Sequence, residues 1–358
     1  MSTAVARPTP EAPQRAPTST PAEARGLHRV VLAIARAAMP AGARLPAPDA
    51  RLLERLDAFL SAAPRHIARG YRLLVWLFEW SALPFTLRRF SRLPPEAALR
   101  HLERWLHAPL FFVRILFRGL VTPIKLGHFA VPEISRLIGY DPPPPAPPDP
   151  PPPYFARVFP AEAHAGETVR TTVVVVGTGP GGAVMATRLA ERGLDVVLLE
   201  EGRYHRRESF NRRPFEMMLR MYREIGLTVA LGIPGIPLPL GKTVGGTSTI
   251  NSGTCFRVPR RVLAHWREAH GLEAFTEEAL APHYAESEAF LKVQPVPREV
   301  WGKVPEIIRR GAEKLGWSHG PLMRNADHCR GSGVCCFGCP TDAKRSMNLS
   351  YVPRALEA

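Results

Sequence analysis

The stretch Thr172–Gly202 constrains the fold more than any other part of the chain. It begins with a run of β-branched apolar residues, Val173–Val176, which is long enough to form a buried parallel strand. A helical segment, Ala183–Arg192, comes next, and a second apolar run, Val196–Leu199, ends at Glu200. Strand, helix and strand in this order predict a βαβ unit with a parallel pair of strands.

A glycine-rich turn joins the first strand to the helix, and it has the spacing G-x-G-x-x-G. Gly177 permits the tight turn, Gly179 lets a pyrophosphate approach the backbone, and Gly182 lets the helix pack close to the strand. The free N–H groups and the positive end of the helix then face the phosphates. We therefore expect Pro180 and Gly181 to belong to the same phosphate contact.

Glu200 lies at the end of the second strand, where a carboxylate can accept hydrogen bonds from an adenosine ribose. The pattern alone does not separate FAD from NAD. The predicted fold class is α/β, with a Rossmann-like dinucleotide-binding domain. That domain is incomplete, because a doubly wound sheet needs more strands than these two.

The net charge of +15 arises from 47 Lys and Arg against 32 Asp and Glu. The excess is spread out and no nucleic-acid-binding motif is present, so we predict no nucleic-acid partner. Attraction to an anionic membrane surface fits the charge better. Met1–Ala24 is rich in Pro, Ala and Thr and lacks the apolar core of a signal peptide. We expect a disordered tail there, in a protein that is cytoplasmic or peripheral at the cytoplasmic face of the membrane.

Residues 27–140 are predicted to form a helical domain, because apolar residues recur in them at helical spacing. One such set is Leu52, Leu53, Leu56, Phe59 and Leu60. Two segments, 71–87 and 110–124, are apolar enough to suggest a membrane, but Glu79 interrupts the first and two arginines interrupt the second. The helices either pack in a small bundle or form an amphipathic surface in the membrane interface, with aromatic residues buried and arginines snorkelling.

Residues 141–153 form the clearest domain boundary, because Pro142–Pro153 contains ten prolines in twelve residues. Such a tract favours polyproline II and acts as a semi-rigid spacer. Residues 154–358 are then expected to form the dinucleotide-binding domain.

A second glycine-rich motif, Gly241–Gly253, follows an extended loop that contains prolines. Adjacent glycines followed by hydroxyl residues and Asn let a backbone lie against a flat ligand and supply hydrogen bonds to it. Read alone, such a stretch equally predicts a turn-rich loop. After a complete dinucleotide fingerprint, contact with the ligand is the better interpretation.

Gly241–Asn251, GKTVGGTSTIN, resembles the flavin-contacting signature of the glucose–methanol–choline (GMC) oxidoreductases, and the first fingerprint with Leu199–Gly202 resembles that family's FAD motif. The resemblance implies FAD as the tightly held cofactor, with Glu200 on its adenosine ribose. It implies non-covalent FAD, because Ile250 stands where some members have the His that tethers the flavin. The residues implied to pack along the cofactor are Val244, Gly245, Gly246, Thr247, Ser248 and Asn251.

Two further regions are similar to the long-chain alcohol oxidases of that family and their bacterial relatives. They are parts of the helical region, including 79–81 and 138–141, and the Cys-rich segment 328–341 with Lys344. The resemblance implies oxidation of the CH–OH group of an apolar alcohol, long-chain or sterol-like, by hydride transfer to flavin N5. The implied partners are that hydrophobic alcohol and a membrane surface.

Four of the five cysteines lie in Cys329–Cys339. Their spacing fits neither paired zinc knuckles nor a ferredoxin run. Structural thiols or a local disulfide are the first interpretation, and a metal site with His328 as an added ligand is the alternative. We assign no metal ligand.

No residue matches the His that takes the alcohol proton in the family, so no catalytic residue is predicted. His265, His270 and His283 lie on expected helices and are better explained as surface or core residues. We therefore expect an N-terminal, truncated portion that supplies the FAD-binding half of an alcohol oxidase and is inactive alone. The alternatives are a dehydrogenase that passes electrons to a quinone or cytochrome, and a membrane-associated FAD-binding module without chemistry.

Overall fold

The computed structural model describes residues 21–42, 45–232 and 235–358. They divide into two compact units, of which the first ends at Asp141 and the second begins at Pro142. The predicted tail lies outside the described residues except for residues 21–24. These last four form the start of the first helix instead of a disordered segment.

The first unit is built from helices. They are α1 (Pro21–Ala38), α2 (Arg51–Ala62), α3 (Arg65–Trp80), α4 (Leu83–Thr86), α5 (Pro95–Leu106), α6 (Phe111–Phe129) and α7 (Pro132–Leu137). Within the described part of this unit there is no β-strand, in agreement with the helical region predicted from the sequence.

Helix α2 has the buried face that its periodicity predicts. The buried set is Leu52, Leu53, Leu56, Phe59 and Leu60. Helix α6 runs past the apolar segment 110–124 to Phe129 and includes Pro123. Proline removes one helical hydrogen bond, but Pro123 and Ile124 are both buried in the unit. Tertiary packing therefore overrides the local preference to end the helix.

A buried polar network lies where α3 and α5 meet. The hydroxyl of Ser81 donates to the Phe78 carbonyl at 2.9 Å, and it lies 3.1 Å from Trp105 Nε1 and 2.9 Å from His101 Nε2. Arg104 Nη1 donates to Nδ1 of His101 at 3.3 Å, so Nδ1 is an acceptor. The proton of neutral His101 is therefore on Nε2, which donates to Ser81. Burial, followed by the nearby Arg104 charge, lowers the pKa of His101 to about 4.

The second unit combines helices with short strands. Its elements are β1 (Val173–Val176), α8 (Pro180–Ala190), β2 (Val196–Leu199), α9 (Pro214–Met221), β3 (Val229–Ala230), β4 (Ile236–Pro237), α10 (Thr247–Ile250), α11 (Arg260–His270), α12 (Glu277–Phe290), β5 (Val293–Pro295), α13 (Lys303–Lys314), β6 (Met323–Asn325) and α14 (Tyr351–Glu357). Strands β1 and β2 have the predicted bounds and pair in parallel, with Val173 opposite Val196. The predicted βαβ unit is thus present, as is the Rossmann-like fold class.

Strand β1 differs from its prediction in burial. Val174 is 53% and Val176 is 82% exposed, whereas Val173 and Val175 are partly covered. In the described residues the β1–β2 sheet has no third strand, and β3–β4 and β5–β6 are separate antiparallel pairs. One face of β1 is therefore open, and the prediction of a fully buried strand is wrong for it.

Helix α8 packs against α14, and the two helices enclose a small apolar core. Thr187 Oγ1 donates to the carbonyl of Tyr351 at 2.8 Å. The rings of Tyr351 and Phe290 meet edge to face, with centroids 4.6 Å apart. The buried core here consists of Ala183, Val244, Met347, Tyr351 and Val352. This packing fixes α8, whose first turn carries the glycine-rich corner.

The end of the proline-rich segment is attached to the second unit. Arg206 Nη2 donates to the carbonyls of Asp149 and Pro150 at 2.8 and 3.2 Å, and Arg207 forms an ion pair with Asp149 at 2.5 Å. The ring of Phe155 packs edge to face on Tyr204. The last residues of the predicted spacer are therefore held by side chains that follow β2.

In the part of the chain that the structure describes, every helix is too short or too polar to cross a membrane.

We predict that acid destabilises the first unit through His101. Its folded pKa lies below that of an unfolded His, so the unfolded state binds more protons as the pH falls from about 6.5 to about 4. The free energy of unfolding should fall over this range by up to about 3 kcal/mol. His101→Gln keeps a donor for Ser81 and should flatten this dependence in urea titrations followed by circular dichroism.

His107→Gln, at an exposed position in the same region, is the matched control and should keep the wild-type pH dependence. Equal acid sensitivity of wild type and His101→Gln would contradict the prediction.

Candidate functional site

The corner between β1 and α8 is fixed by its glycines. Gly177 has φ +94°, and its N–H donates to the Leu199 carbonyl at 2.7 Å. A Cβ on Gly182 would overlap the carbonyl oxygen of Gly177 and lie 3.3 Å from Val175 Cγ1. The structure thus gives Gly182 the role predicted for it, which is close packing of the helix on the strand.

Gly179 is different, because a Cβ built on it meets no atom within 4 Å. Its backbone, with φ −63° and ψ 178°, is one that any residue adopts. The same open space surrounds Gly181, and Pro180 occupies the first position of α8. The N–H groups of this first turn have no preceding helical carbonyl to bind. The corner therefore offers an open backbone surface at the positive end of a helix, which suits a diphosphate.

Thr178 links the two glycine-rich motifs. Its hydroxyl donates to Glu200 Oε2 at 2.6 Å and accepts from the N–H of Gly245 at 2.8 Å. Its own N–H donates to the same carboxylate oxygen at 3.0 Å. Within the described ranges, Glu200 Oε1 accepts one hydrogen bond, from the N–H of Gly202 at 2.9 Å. A carboxylate oxygen has two lone pairs, so Oε1 can accept a second hydrogen bond, and this is the bond to a ribose that the sequence predicts for Glu200.

The second motif lies directly on the first. A Cβ on Gly246 would come within 2.8 Å of Gly179 Cα. Gly245 has φ +91°, and a Cβ there would meet the N–H of Asn348 at 2.9 Å. The two predicted motifs are thus brought together, and their backbones form one continuous surface.

Several side chains of the second motif face the protein. The hydroxyl of Ser248 donates to the Gly245 carbonyl at 2.6 Å and accepts the N–H of Met347 at 3.0 Å. The side chain of Val244 lies in the buried core. At these two positions a cofactor would meet the backbone, and the contact of Val244 and Ser248 with a cofactor stays a prediction.

The remaining predicted positions, Thr247 and Asn251, are exposed. The side-chain oxygen of Asn251 accepts the N–H of Gly253 at 2.9 Å, and Thr247 Oγ1 accepts the N–H of Gly241 at 3.2 Å. Both side chains remain accessible from solvent. Their contact with a cofactor stays a prediction.

Lys344 is a buried cation that fastens the second motif to the Cys-rich segment. Its ammonium donates, at 2.8 Å each, to the carbonyls of Thr249, Asn251 and Cys335. All three of its protons are therefore used. Burial lowers the pKa of Lys344 to about 8. Apart from the position of Lys344 after the cysteines, no sequence pattern predicts this role.

The five cysteines are free thiols. Cys335 Sγ accepts from Arg324 Nη2 at 3.0 Å, and Cys339 Sγ accepts the N–H of Lys344 at 3.4 Å. In the described ranges no three His, Cys, Asp or Glu side chains converge as metal ligands would, and His328 is 94% exposed. Of the interpretations offered for this segment, structural thiols agree with the structure.

The three histidines on the helices after the second motif are all exposed. They are His265, His270 and His283. This agrees with their interpretation as surface residues.

This site defines a dinucleotide-binding protein of the Rossmann type. It consists of a strand, a glycine-rich turn, a helix and a second strand that is followed by a hydrogen-bonded carboxylate. Comparison with known families agrees. Residues 175–205 match the NAD(P)-binding Rossmann-like domain, and residues 218–358 match the GMC oxidoreductase domain. The second unit is therefore similar to GMC oxidoreductases over residues 218–358 and to Rossmann-like dinucleotide-binding domains over residues 175–205.

Individual proteins are also similar to this chain. An uncharacterized GMC-type oxidoreductase of Mycobacterium tuberculosis is 43% identical over 197 residues, which are 55% of this chain and 31% of the relative. A long-chain-alcohol oxidase of Arabidopsis thaliana is 30% identical over 53% of this chain and 25% of its own. A cholesterol oxidase of Acinetobacter baumannii is 23% identical over 50% of this chain and 37% of its own. The chain thus spans between a quarter and about two fifths of these relatives.

We predict that Thr178→Val destabilises the second unit. The change keeps the shape of the side chain but leaves the buried N–H of Gly245 without a partner and removes one hydrogen bond from Glu200. The free energy of unfolding should fall by about 1–3 kcal/mol in urea titrations. Thr178→Ser keeps the hydroxyl and should lose less than half of that amount, and equal losses in the two variants would contradict the role given to the hydroxyl.

We also predict that Lys344→Met lowers the free energy of unfolding by about 3 kcal/mol or more, because three buried carbonyls lose their donor. Lys242→Met, in the same region but exposed, is the matched control and should change stability by less than about 0.5 kcal/mol. A loss below about 1 kcal/mol for Lys344→Met would mean that the carbonyls find other partners.

Proposed function

We propose that the second unit binds FAD without a covalent bond, and that the chain supplies the cofactor-binding part of an enzyme that oxidises the CH–OH group of an apolar alcohol. The observation that carries this proposal is the contact between the two glycine-rich motifs. Gly246 lies against Gly179, and Thr178 bonds both Glu200 and Gly245. A cofactor that needs both a diphosphate corner and a flat backbone surface beside it is a flavin dinucleotide.

The residues present fit such a group. The open position at Gly179 leaves room for a diphosphate at the start of α8. Glu200 Oε1 keeps an acceptor position for a ribose hydroxyl. Gly245 and Gly246 let the second motif pack directly on Thr249 and on Gly179, so its backbone lies beside the diphosphate corner. Bound FAD would supply the hydride acceptor for alcohol oxidation, and we assign the alcohol proton to no residue of this chain.

The substrate class rests on the relatives. The similarity to proteins described as a long-chain-alcohol oxidase and a cholesterol oxidase supports an apolar alcohol. A nicotinamide dinucleotide is the second candidate cofactor, because residues 175–205 match the NAD(P)-binding Rossmann-like domain. Titration of the purified chain with FAD and with NADH, followed by isothermal calorimetry, distinguishes the two, and we expect the tighter binding for FAD.

The sharpest test of the diphosphate corner is Gly179→Ala. The added methyl group meets no protein atom, so the melting temperature without cofactor should stay unchanged. The same methyl group would lie where the diphosphate approaches, so we expect FAD affinity to fall about ten-fold or more. The measurements are thermal unfolding and the same calorimetric titration.

Two other glycine variants serve as controls. Gly311→Ala, in the exposed part of α13 where a Cβ is also free of contacts, should leave both affinity and folding unchanged. Gly182→Ala should impair folding itself, because its methyl group overlaps the Gly177 carbonyl. Undiminished FAD binding by Gly179→Ala would refute the assigned diphosphate site.

A further inference from the structure

Helix α3 is apolar on two opposite faces. Its buried inner face carries Ala68, Tyr71, Val75 and Phe78. Its outer face carries Leu73, Trp76, Leu77 and Trp80, which are 57%, 56%, 43% and 38% exposed. The outer residues are spaced i, i+3, i+4 and i+7, so they form one stripe. A helix at the surface of a soluble domain normally presents polar residues on that side.

Two neighbouring segments add to this stripe. Phe85 and Leu87, in and just after α4, are 59% and 90% exposed. Phe111 and Phe112, in the first turn of α6, are 67% and 68% exposed. Exposed aromatic residues at this density mark an interaction site more often than a free surface.

The last part of this stripe, residues 76–80, lies at the same end of the first unit as the first turns of α6. Tyr71, early in α3, donates to the carbonyl of Leu120 in α6 at 3.0 Å. Phe78, near the end of α3, packs on Phe117, which is earlier in α6, with ring centroids 6.4 Å apart. The two helices are therefore antiparallel, and the last turn of α3 lies beside the first turns of α6.

The segment that contains these side chains is strongly basic. Residues 65–125 contain eleven Arg and Lys against three Glu. The guanidinium carbon of Arg89 lies 4.9 Å from the Trp80 ring, and that of Arg104 lies 3.9 Å from the Phe85 ring. The charged groups are thus interleaved with the exposed aromatic residues and not set apart from them.

We propose that this aromatic–arginine face binds the surface of an anionic lipid bilayer. It consists of the outer stripe of α3, residues 85–87 and the first turn of α6, together with the arginines that accompany them, which are Arg88, Arg89, Arg104, Arg114 and Arg118. Aromatic rings favour the level of the lipid headgroups, and arginine side chains reach from apolar contact to phosphate. The surplus of cations matches the negative charge of such a surface.

The helices lie in the plane of the interface in this arrangement. Helix α3 has 16 residues, whereas a crossing needs about 20 apolar ones. Helix α6 is longer but carries Arg114, Arg118 and Lys125 along its length. Both properties are typical of interfacial helices.

Vesicle flotation of the 358-residue chain tests this face. We expect binding to vesicles of phosphatidylcholine mixed with phosphatidylglycerol, and weaker binding when the salt concentration is raised or phosphatidylglycerol is left out. The triple variant with Trp76→Gln, Phe111→Gln and Phe112→Gln should bind the mixed vesicles more weakly than wild type by a factor of about ten or more. All three positions are exposed, so the circular dichroism spectrum should not change.

A second variant tests the charge alone. Arg88→Gln with Arg118→Gln changes two exposed arginines and should weaken binding to the mixed vesicles by about five-fold for each residue, with little effect on neutral vesicles. The matched control is Ile307→Gln with Ile308→Gln, because these residues of α13 are similarly exposed in the second unit. The control should bind like wild type.

Three results would overturn the proposal. One is the absence of wild-type binding to the mixed vesicles at low salt. Another is a larger loss of binding in the α13 control than in the aromatic variant. The third concerns a dimer. If size-exclusion chromatography shows that the wild type is a dimer and the aromatic variant a monomer, and both bind vesicles equally, the face contacts a second copy of the chain. Vesicle binding requires no cofactor, so these outcomes are independent of FAD binding.

Discussion

The hydrogen bonds of the Thr178 hydroxyl hold the candidate site together. One oxygen atom joins the corner after β1, the carboxylate after β2 and the N–H of Gly245, which is 67 residues further along the chain. Thr178 is buried, and a polar group in such a place is costly unless its bonds are made. The two glycine-rich motifs therefore keep their mutual position because any displacement would leave a buried donor or acceptor unpaired.

Lys344 acts in the same way on the far side of the second motif. Buried carbonyls that are not paired within a helix or a sheet need donors from elsewhere. The ammonium of Lys344 binds two of them and a third from the Cys-rich segment. The lowered pKa of this lysine reflects the cost of its burial, which three short hydrogen bonds offset. The free thiols around it are consistent with a structural role for that segment.

Sequence patterns predicted the parts of the fold that depend on neighbours along the chain. The bounds of β1 and β2 follow from unbroken apolar runs, and the packing role of Gly182 follows from its spacing after Gly177. The role of Thr178 could not be predicted, because its partner lies far away in the sequence and the motif allows any residue there. The pair β5–β6 was missed because Gln294 opposite Arg324 shows no apolar alternation.

Periodicity also cannot tell which apolar surface suits a bilayer. The open face of β1, with Val174 and Val176, is as apolar as the outer stripe of α3. It belongs, however, to a two-stranded sheet whose edges carry unpaired backbone N–H and C=O groups, and lipid chains offer these groups no hydrogen bonds. The backbone of α3 is satisfied within the helix, and Arg89 lies over the ring of Trp80. Whether an apolar surface suits a lipid bilayer therefore depends on two further properties. Its backbone groups must be hydrogen-bonded within the protein, and its charge must complement that of the bilayer.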